Sequence, residues 1–379
     1  MIENAITKIG ILLALGFGEA GAEIIASNIA QSGDVDPMMA GKRRFSVFGF
    51  CDIRNFTDAT EVLQQDVMVF VNSIAYIVHK TVDKFGGIAN KNIGDAFLLV
   101  WKFPEEEIET LEDGTLILKR TPLVKNLADL CVISFSKIIA GINKKPTILK
   151  YRENKGLNDR LPNYKVKMGF GLHIGWAIEG AIGSEFKIDA SYLSPNVNLA
   201  SRLEAATKQY GVPLLISHEL HHYFSKKTKR FCREVDRVTV KGSKKPIGLF
   251  TIDLLIDNLV ITENKYPKKP NQKKIDHMRS KNNIMELVYS STFKSAFFFE
   301  LDNDLLLMTG EVSIELKNKF NDAFQLYIKG DWAESRAKFT ECLEINPTDG
   351  PTNTLMKVMA EKGFQSEPDW PGYRELTEK

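Results

Sequence analysis

Apolar and polar positions change period several times along this chain, and each change predicts an element. The run "FSVFGFCDI" (45–53) is compact, apolar and rich in aromatic and β-branched residues, which predicts a strand. It follows the basic cluster Lys42-Arg43-Arg44 and precedes Asn55, Thr57 and Asp58, candidates to cap a helix. From Val62 to Phe85, apolar residues recur at helical spacing (Val67, Phe70, Val71, Ile74, Ile77, Val78), and Gly86-Gly87 ends the run. "IANKN" and "AFLLVW" read as two short strands joined at Ile93-Gly94-Asp95, a hairpin. Residues 104–122 read as an acidic loop, 123–142 as an amphipathic helix, and 144–162 as a polar, basic loop. The glycine-rich alternation in "YKVKMGFGLHIGWAIEGAIGS" predicts two closely packed strands. A helix over 196–209, a strand over 212–217, a short helix over 218–225 and a closing hairpin complete the order βααββαββαβ. That order is neither a regular βαβ alternation nor all-β, and it predicts an α+β sheet domain over 43–257.

The flanks read differently. Residues 1–42 form an N-terminal helical segment with an apolar face, interrupted by Gly16 and Gly18. Residues 258–315 read as a basic linker and helix. Lys265 to Lys281 carries seven Lys or Arg against the single acid Asp276, which suits a solvated linker or contact with an anionic surface. In the tail, 316–379, Ala323, Tyr327, Gly330, Trp332, Ala337, Phe339, Leu343 and Pro347 fall where a tetratricopeptide-like helix-turn-helix unit places them. One such unit cannot bury its own face, so it reads as a docking or capping element.

Composition narrows the class. At 379 residues with 44% hydrophobic and 26% charged residues, the chain can bury a large core unaided, which excludes disordered, collagen-like and rod classes. Fifty basic against 48 acidic residues leave +2, and no argument for a nucleic-acid partner. Four dispersed cysteines without a CxxC suggest neither a zinc site nor a disulfide scaffold, and fit a reducing, cytoplasmic compartment. The best apolar stretch, Ile9 to Gly18, is far shorter than the roughly 20 residues a membrane helix needs, so the chain reads as soluble.

Candidate chemistry sits at the strand ends. Asp52 ends one apolar strand and Asp95 tips the next hairpin. Two carboxylates on neighbouring strand ends can hold a pair of Mg²⁺ ions, which take hard oxygen ligands. Asn198 and Arg202 are four apart in a helical segment and project from one face. His218, His221 and His222 have metal-like spacing but read as a solvated helix face.

Five blocks, "FGFCDIRNFT", "GGIANKNIGDAFLLVW", "GLHIGWAIEGAIGS", "YLSPNVNLASRLE" and "VTVKG", occur in the order of the class III nucleotidyl cyclase catalytic domain. The resemblance covers roughly residues 44–252, and some of its blocks look similar to cyclases of unicellular eukaryotes. It implies a three-layered α+β domain with a ferredoxin-like core, and active sites formed between two catalytic domains arranged head to tail. By that resemblance Asp52 and Asp95 bind two divalent ions (Mg²⁺ or Mn²⁺), with the Ile53 carbonyl a third ligand. Lys91 and Ser191 fall at the two base-selecting positions. Asn198 and Arg202 orient the ribose and stabilise the transition state. Lys241 holds the distal phosphates, with Lys244 the lesser candidate.

Since Lys91 can only donate, it suits adenine N1, whereas Ser191 can donate or accept and decides little. The expected reaction is cyclisation of ATP by a homodimer. Guanylyl cyclisation and a non-catalytic nucleotide-sensing module are the alternatives. Ser194 and Pro195 stand where the family usually has a glycine and a small polar residue, and the charged stretch from Pro104 to Tyr164 reads as an insertion. The N-terminal helix is either a dimeric input junction or simply packed on its own domain. A membrane-anchored upstream region or a regulatory partner outside this chain is compatible with the pattern.

Overall fold

The computed structural model describes residues 40–184, 186–240, 245–261, 270–290 and 293–376, with residues 8–10, 16, 18, 21–22, 25–26 and 29–30 before them. The described positions among the first thirty are helical. The remainder of the N-terminal segment, and with it the expected input junction, lies outside the described residues.

The chain runs β1 (Lys42–Ile53), α1 (Phe56–Leu63), α2 (Val67–Lys84), β2 (Ile88–Ile93), β3 (Ala96–Lys102), β4 (Ile108–Thr110), β5 (Leu116–Leu118) and α3 (Pro122–Lys144). The short helices α4 (Pro146–Leu149) and α5 (Lys155–Arg160) precede β6 (Met168–Ser184), β7 (Lys187–Leu193), α6 (Pro195–Tyr210) and β8 (Leu214–Ser217). Then come α7 (His218–Tyr223), α8 (Lys226–Phe231), β9 (Cys232–Thr239) and β10 (Ile247–Ile252). The last part is helical: α9 (Pro270–Tyr289), α10 (Phe298–Leu301), α11 (Asn303–Thr309), α12 (Ile314–Lys329), α13 (Trp332–Ile345) and α14 (Gly350–Glu361), closed by a two-residue strand, β11 (Arg374–Glu375).

One mixed sheet carries the strands in the order β11-β9-β10-β8-β6-β1-β3-β2, with β7 paired to the far half of β6. Its central strands are apolar on both faces, as expected for a sheet covered on both sides. Along β1 and β3, Val47, Cys51, Phe97, Leu99 and Trp101 face a core shared with α2 and α3. The alternate residues Phe48, Leu98 and Val100 face Ala177, Tyr192, Val197 and Ala200 from β6, β7 and α6. Period two along the strands therefore splits two cores and fixes the register.

Several expectations are corrected. The glycine-rich segment is a single 17-residue strand rather than two, because its first half pairs with β1 and β8 while its second half pairs with β1 and β7. The acidic loop of 104–122 contains the hairpin β4–β5. The helix expected over 123–142 within the Pro104–Tyr164 stretch is α3, capped by Thr121 on the Val124 amide (3.2 Å) and buried along most of its length. The second half of the basic stretch is the start of α9, where His277 and Lys281 both bond Asp83 (2.7 and 2.6 Å) and Ile284 and Val288 enter the core. The 144–162 loop contains α4 and α5. His221 is not a solvated face residue; its ring stacks on Phe250 at 3.8 Å.

One buried carboxyl makes stability depend on pH. Asp129 of α3 accepts the Ser225 amide (3.1 Å) at the start of α8, and its Oδ2 has no partner among the described residues. Burial pushes it up to about 7, against the opposing pull of Ser225, Thr228 and Lys229. The folded state thus holds a proton that the unfolded chain releases near the ordinary value of 3.8. Stability from this group is full below about pH 4 and is lost as pH rises to about 7, by roughly 1.4 kcal/mol per pH unit crossed. Asp129→Asn should therefore gain on the wild type as pH rises across that window. Denaturant titrations at pH 5 and 8 giving parallel changes for both proteins would contradict this.

Candidate active site

The site grows out of the ends of β1 and β3. These strands are antiparallel with Asp52 opposite Ala96, so the turn before Ala96 lies beside the end of β1. Ile93 pairs with Ala96, leaving Gly94-Asp95 as the two-residue loop, and Gly94 takes a φ of +64° that a tight hairpin demands. The Ile53 amide then donates to the Asp95 carbonyl (3.3 Å), tying the turn to β1. The carboxyls of Asp52 and Asp95 are neighbours at this turn, and burial together with the Asp95 charge pushes Asp52 up to about 6. Among the described residues no three His, Cys, Asp or Glu side chains cluster as metal ligands. A two-carboxylate pair fits a hard divalent ion that completes its shell with carbonyl, water and phosphate oxygens.

Directly after this pair, Asn55 adopts a left-handed conformation (φ 55°) that turns the chain into α1. Arg54 reaches across to α6, where its guanidinium pairs with Glu204 (2.8 Å) and donates to the Glu204 carbonyl (3.2 Å) and the Thr207 hydroxyl. Burial holds the Glu204 carboxyl above the usual range despite that guanidinium, and the Asp52 charge adds to the rise. The carboxylate end of β1 and helix α6 are thus locked together within one chain.

The N-terminal end of α6 is built by Ser194, Pro195 and Asn196. Ser194 caps the helix by accepting the Asn196 amide (3.1 Å) and donates to the Trp176 carbonyl (2.6 Å), and Pro195 occupies the first turn. The Asn196 amide group donates to the Trp176 carbonyl (2.8 Å), and its Oδ1 meets His173 Nε2 (3.1 Å). His173 Nδ1 in turn meets the Ser217 hydroxyl (2.8 Å), and burial keeps this imidazole below its usual range. Asn198 follows, exposed, with Arg202 half-exposed one turn on.

Lys91, on the outer strand β2, forms an ion pair with Asp189 of β7. Ser191 lies two residues beyond Asp189 on the same side of β7 and is buried. Lys241 and Lys244 lie outside the described residues. Asp189, Arg54, Glu204 and the His173–Asn196 pair are not singled out by sequence. Only Asp189 leaves a signal, its two-residue offset from Ser191; Arg54 and Glu204 are 150 positions apart and no spacing rule joins them.

The model of the adenylate and guanylate cyclase catalytic domain matches residues 41–253, more than half of the chain, and the chain belongs to that family. A second model, the RasGEFs all helical domain, matches residues 1–30. An adenylate cyclase of Anabaena cylindrica is 27% identical over 218 residues, covering 56% of this chain and 37% of that protein. The terminal-differentiation specific adenylate cyclase of Dictyostelium discoideum is 27% identical over 205 residues, 54% of this chain and 8% of that protein. The matched region is therefore little more than a third of these relatives at most. A bacterial light-regulated adenylyl cyclase structure aligns over 76% of this chain and 67% of its own, with 19% identity and a TM-score of 0.48.

Proposed function

We propose that the chain is an adenylyl cyclase that converts ATP to 3′,5′-cyclic AMP and pyrophosphate at sites shared across a homodimer. The observation that carries this reading is the Asp52–Asp95 carboxyl pair on the same chain as Asn198 and Arg202. When bound at Asp52, Asp95 and the Ile53 carbonyl, two Mg²⁺ or Mn²⁺ ions would acidify the ribose 3′-hydroxyl and neutralise phosphate charge. Asn198 orients the ribose. Arg202 brings a planar fork of donors that stays protonated, suited to charge growing on the α-phosphoryl oxygens. Lys241 is assigned to the distal phosphates.

For the base, Lys91 donates to adenine N1, and the amine at C6 is accepted by Asp189 or Ser191. Asp189 strengthens the adenine reading because it adds an acceptor beside Lys91 that the sequence pattern leaves out. Guanine reverses donor and acceptor at these two atoms, so Lys91→Glu should shift the ratio of kcat/KM for ATP over GTP towards GTP by about tenfold or more. An unchanged ratio would remove Lys91 from base selection.

Two identical chains carrying the full set can build two complete sites, with the carboxylates from one chain and Lys91, Ser191, Asn198 and Arg202 from the other. Mixing Asp52→Ala chains with Arg202→Ala chains should then restore about one working site per mixed dimer, read as cyclic nucleotide formed. Mixtures as inactive as either parent would sink the shared site. The helical pair α12–α13, with its tetratricopeptide-like pattern, serves here as a docking element for the chain's own catalytic domain.

A further inference from the structure

The C-terminal end of α6, two turns beyond Arg202, is held by residues far along the chain. Tyr210, the last residue of the helix, is fully buried, and its hydroxyl donates to Asp236 Oδ2 on β9 (2.6 Å). Arg374 on β11 closes the triangle: its Nε donates to the same Asp236 oxygen (2.8 Å) and its second nitrogen to the Tyr210 hydroxyl (2.8 Å). Asp236 is inaccessible to solvent and its other oxygen accepts the Arg237 amide (2.8 Å). β11 itself pairs in parallel with the end of β9, and the Leu376 amide extends the ladder to the Thr239 carbonyl (2.8 Å).

Two further attachments come from α14. The Thr354 hydroxyl donates to the Gln209 carbonyl (2.7 Å). Gly350 lies so close to Tyr210 that a Cβ there would fall 2.1 Å from the Tyr210 carbonyl oxygen, an approach only glycine permits. The tail thus meets α6 at its last two residues, through three independent contacts.

We propose that Arg374 is a positioning residue for cyclisation, acting through Tyr210 and Asp236 to hold α6, and with it Asn198 and Arg202, in register with the reacting phosphate. This rests on the role assigned to Asn198 and Arg202 above. A helix moves as a rod, and eight residues at 1.5 Å each put Arg202 about 12 Å from Tyr210. A small swing at the buried end therefore reaches the guanidinium. A misplacement of about 1 Å in the reacting geometry can cost roughly 100-fold in rate. Arg374 is suited to the task because its planar fork presents separate nitrogens to two acceptors in a fixed geometry, which the single nitrogen of a lysine does not.

The test uses the full chain. Arg374→Gln should lower kcat about 10- to 100-fold, with KM for the nucleotide changed less than about threefold, at temperatures well below its thermal midpoint. Arg374→Lys should recover part of that loss. Tyr210→Phe, which keeps the ring packed, should lower kcat several-fold and serves if the glutamine variant does not fold. A purely structural contact would lower the thermal midpoint of these variants and leave kcat unchanged in the folded protein, and that result would overturn the proposal.

Mixed dimers separate this from the shared-site reading. Arg374→Gln chains should be rescued by Asp52→Ala chains, which bring an intact α6, and not by Arg202→Ala chains. The opposite pattern of rescue would also overturn the proposal. Failure of the Asp52→Ala with Arg202→Ala control would instead count against site sharing, and the kcat measurements on single variants would still decide the role of Arg374.

Discussion

Asp52→Ala should abolish nucleotide cyclisation, by roughly three orders of magnitude or more, while leaving the folded chain at least as stable. The two effects have one cause. Asp52 and Asp95 meet at the ends of adjacent strands, where burial and mutual repulsion disfavour two negative charges. Without a bound cation this arrangement costs folding energy, and alanine removes the conflict. The same substitution removes half of the side-chain ligands for a divalent ion. Wild-type protein should therefore melt higher when Mg²⁺ is added, by mass action on the folded state, and the variant should not. Product formation and melting curves with and without Mg²⁺ provide both readouts. Activity within tenfold of wild type would exclude the carboxyl pair from the chemistry.

Arg233→Met should give the largest loss of stability. Arg233 is buried in β9 and bonds Asp349 twice (3.1 and 2.8 Å) and Asp253 once (2.6 Å). Asp349 also caps α14 by accepting the Thr352 amide (3.0 Å) and hydroxyl (2.6 Å). Burial alone would raise the Asp349 carboxyl, yet Arg233 and Thr352 hold it below its ordinary range. Removing the guanidinium strands two carboxylates, one of them buried, at a cost of about 3–5 kcal/mol. At roughly 2–4 °C per kcal/mol the midpoint should fall by about 10 °C. Adding Asp349→Asn should restore part of the loss, because the amide oxygen still caps α14 without a buried charge. A midpoint within about 2 °C of wild type, roughly the shift of a single surface change, would show that the pair does not hold the tail to β9.

How much of this is legible in the sequence follows from the range of each interaction. Helices α2, α3 and α6 and the β2–β3 hairpin are readable because their signals are local: apolar residues at helical spacing, the Gly86-Gly87 stop, and a glycine in the Gly94 turn. Asp52 and Asp95 are readable as a pair because one ends an apolar strand and the other tips the next hairpin. The single long β6 reads as two strands because period two shows a strand's faces but not where it changes partners. Residues that hold the site from a distance are invisible for the same reason. Arg54 and Glu204, Asp129 and Ser225, and Tyr210, Asp236 and Arg374 are joined only by the folded topology. Asp83, which receives His277 and Lys281, shows why a basic run reads as solvated linker: its acidic partner lies almost 200 residues earlier.

The four cysteines are all buried and free, and they fall in different parts of the architecture: β1 beside Asp52, α3, β9 and the tail helix α13. Burial raises each thiol, Cys232 to about 12 and Cys342 to about 11, with Cys51 and Cys131 also held well above the usual value. Thiolate, the form that reacts with alkylating reagents, is therefore scarce while the fold is closed. Each cysteine becomes reactive only when its own region opens, so the chain carries native clocks for local unfolding. Alkylation rates followed by mass spectrometry would time the opening of the carboxylate strand, the central helix, strand β9 and the tail separately, in unmodified protein.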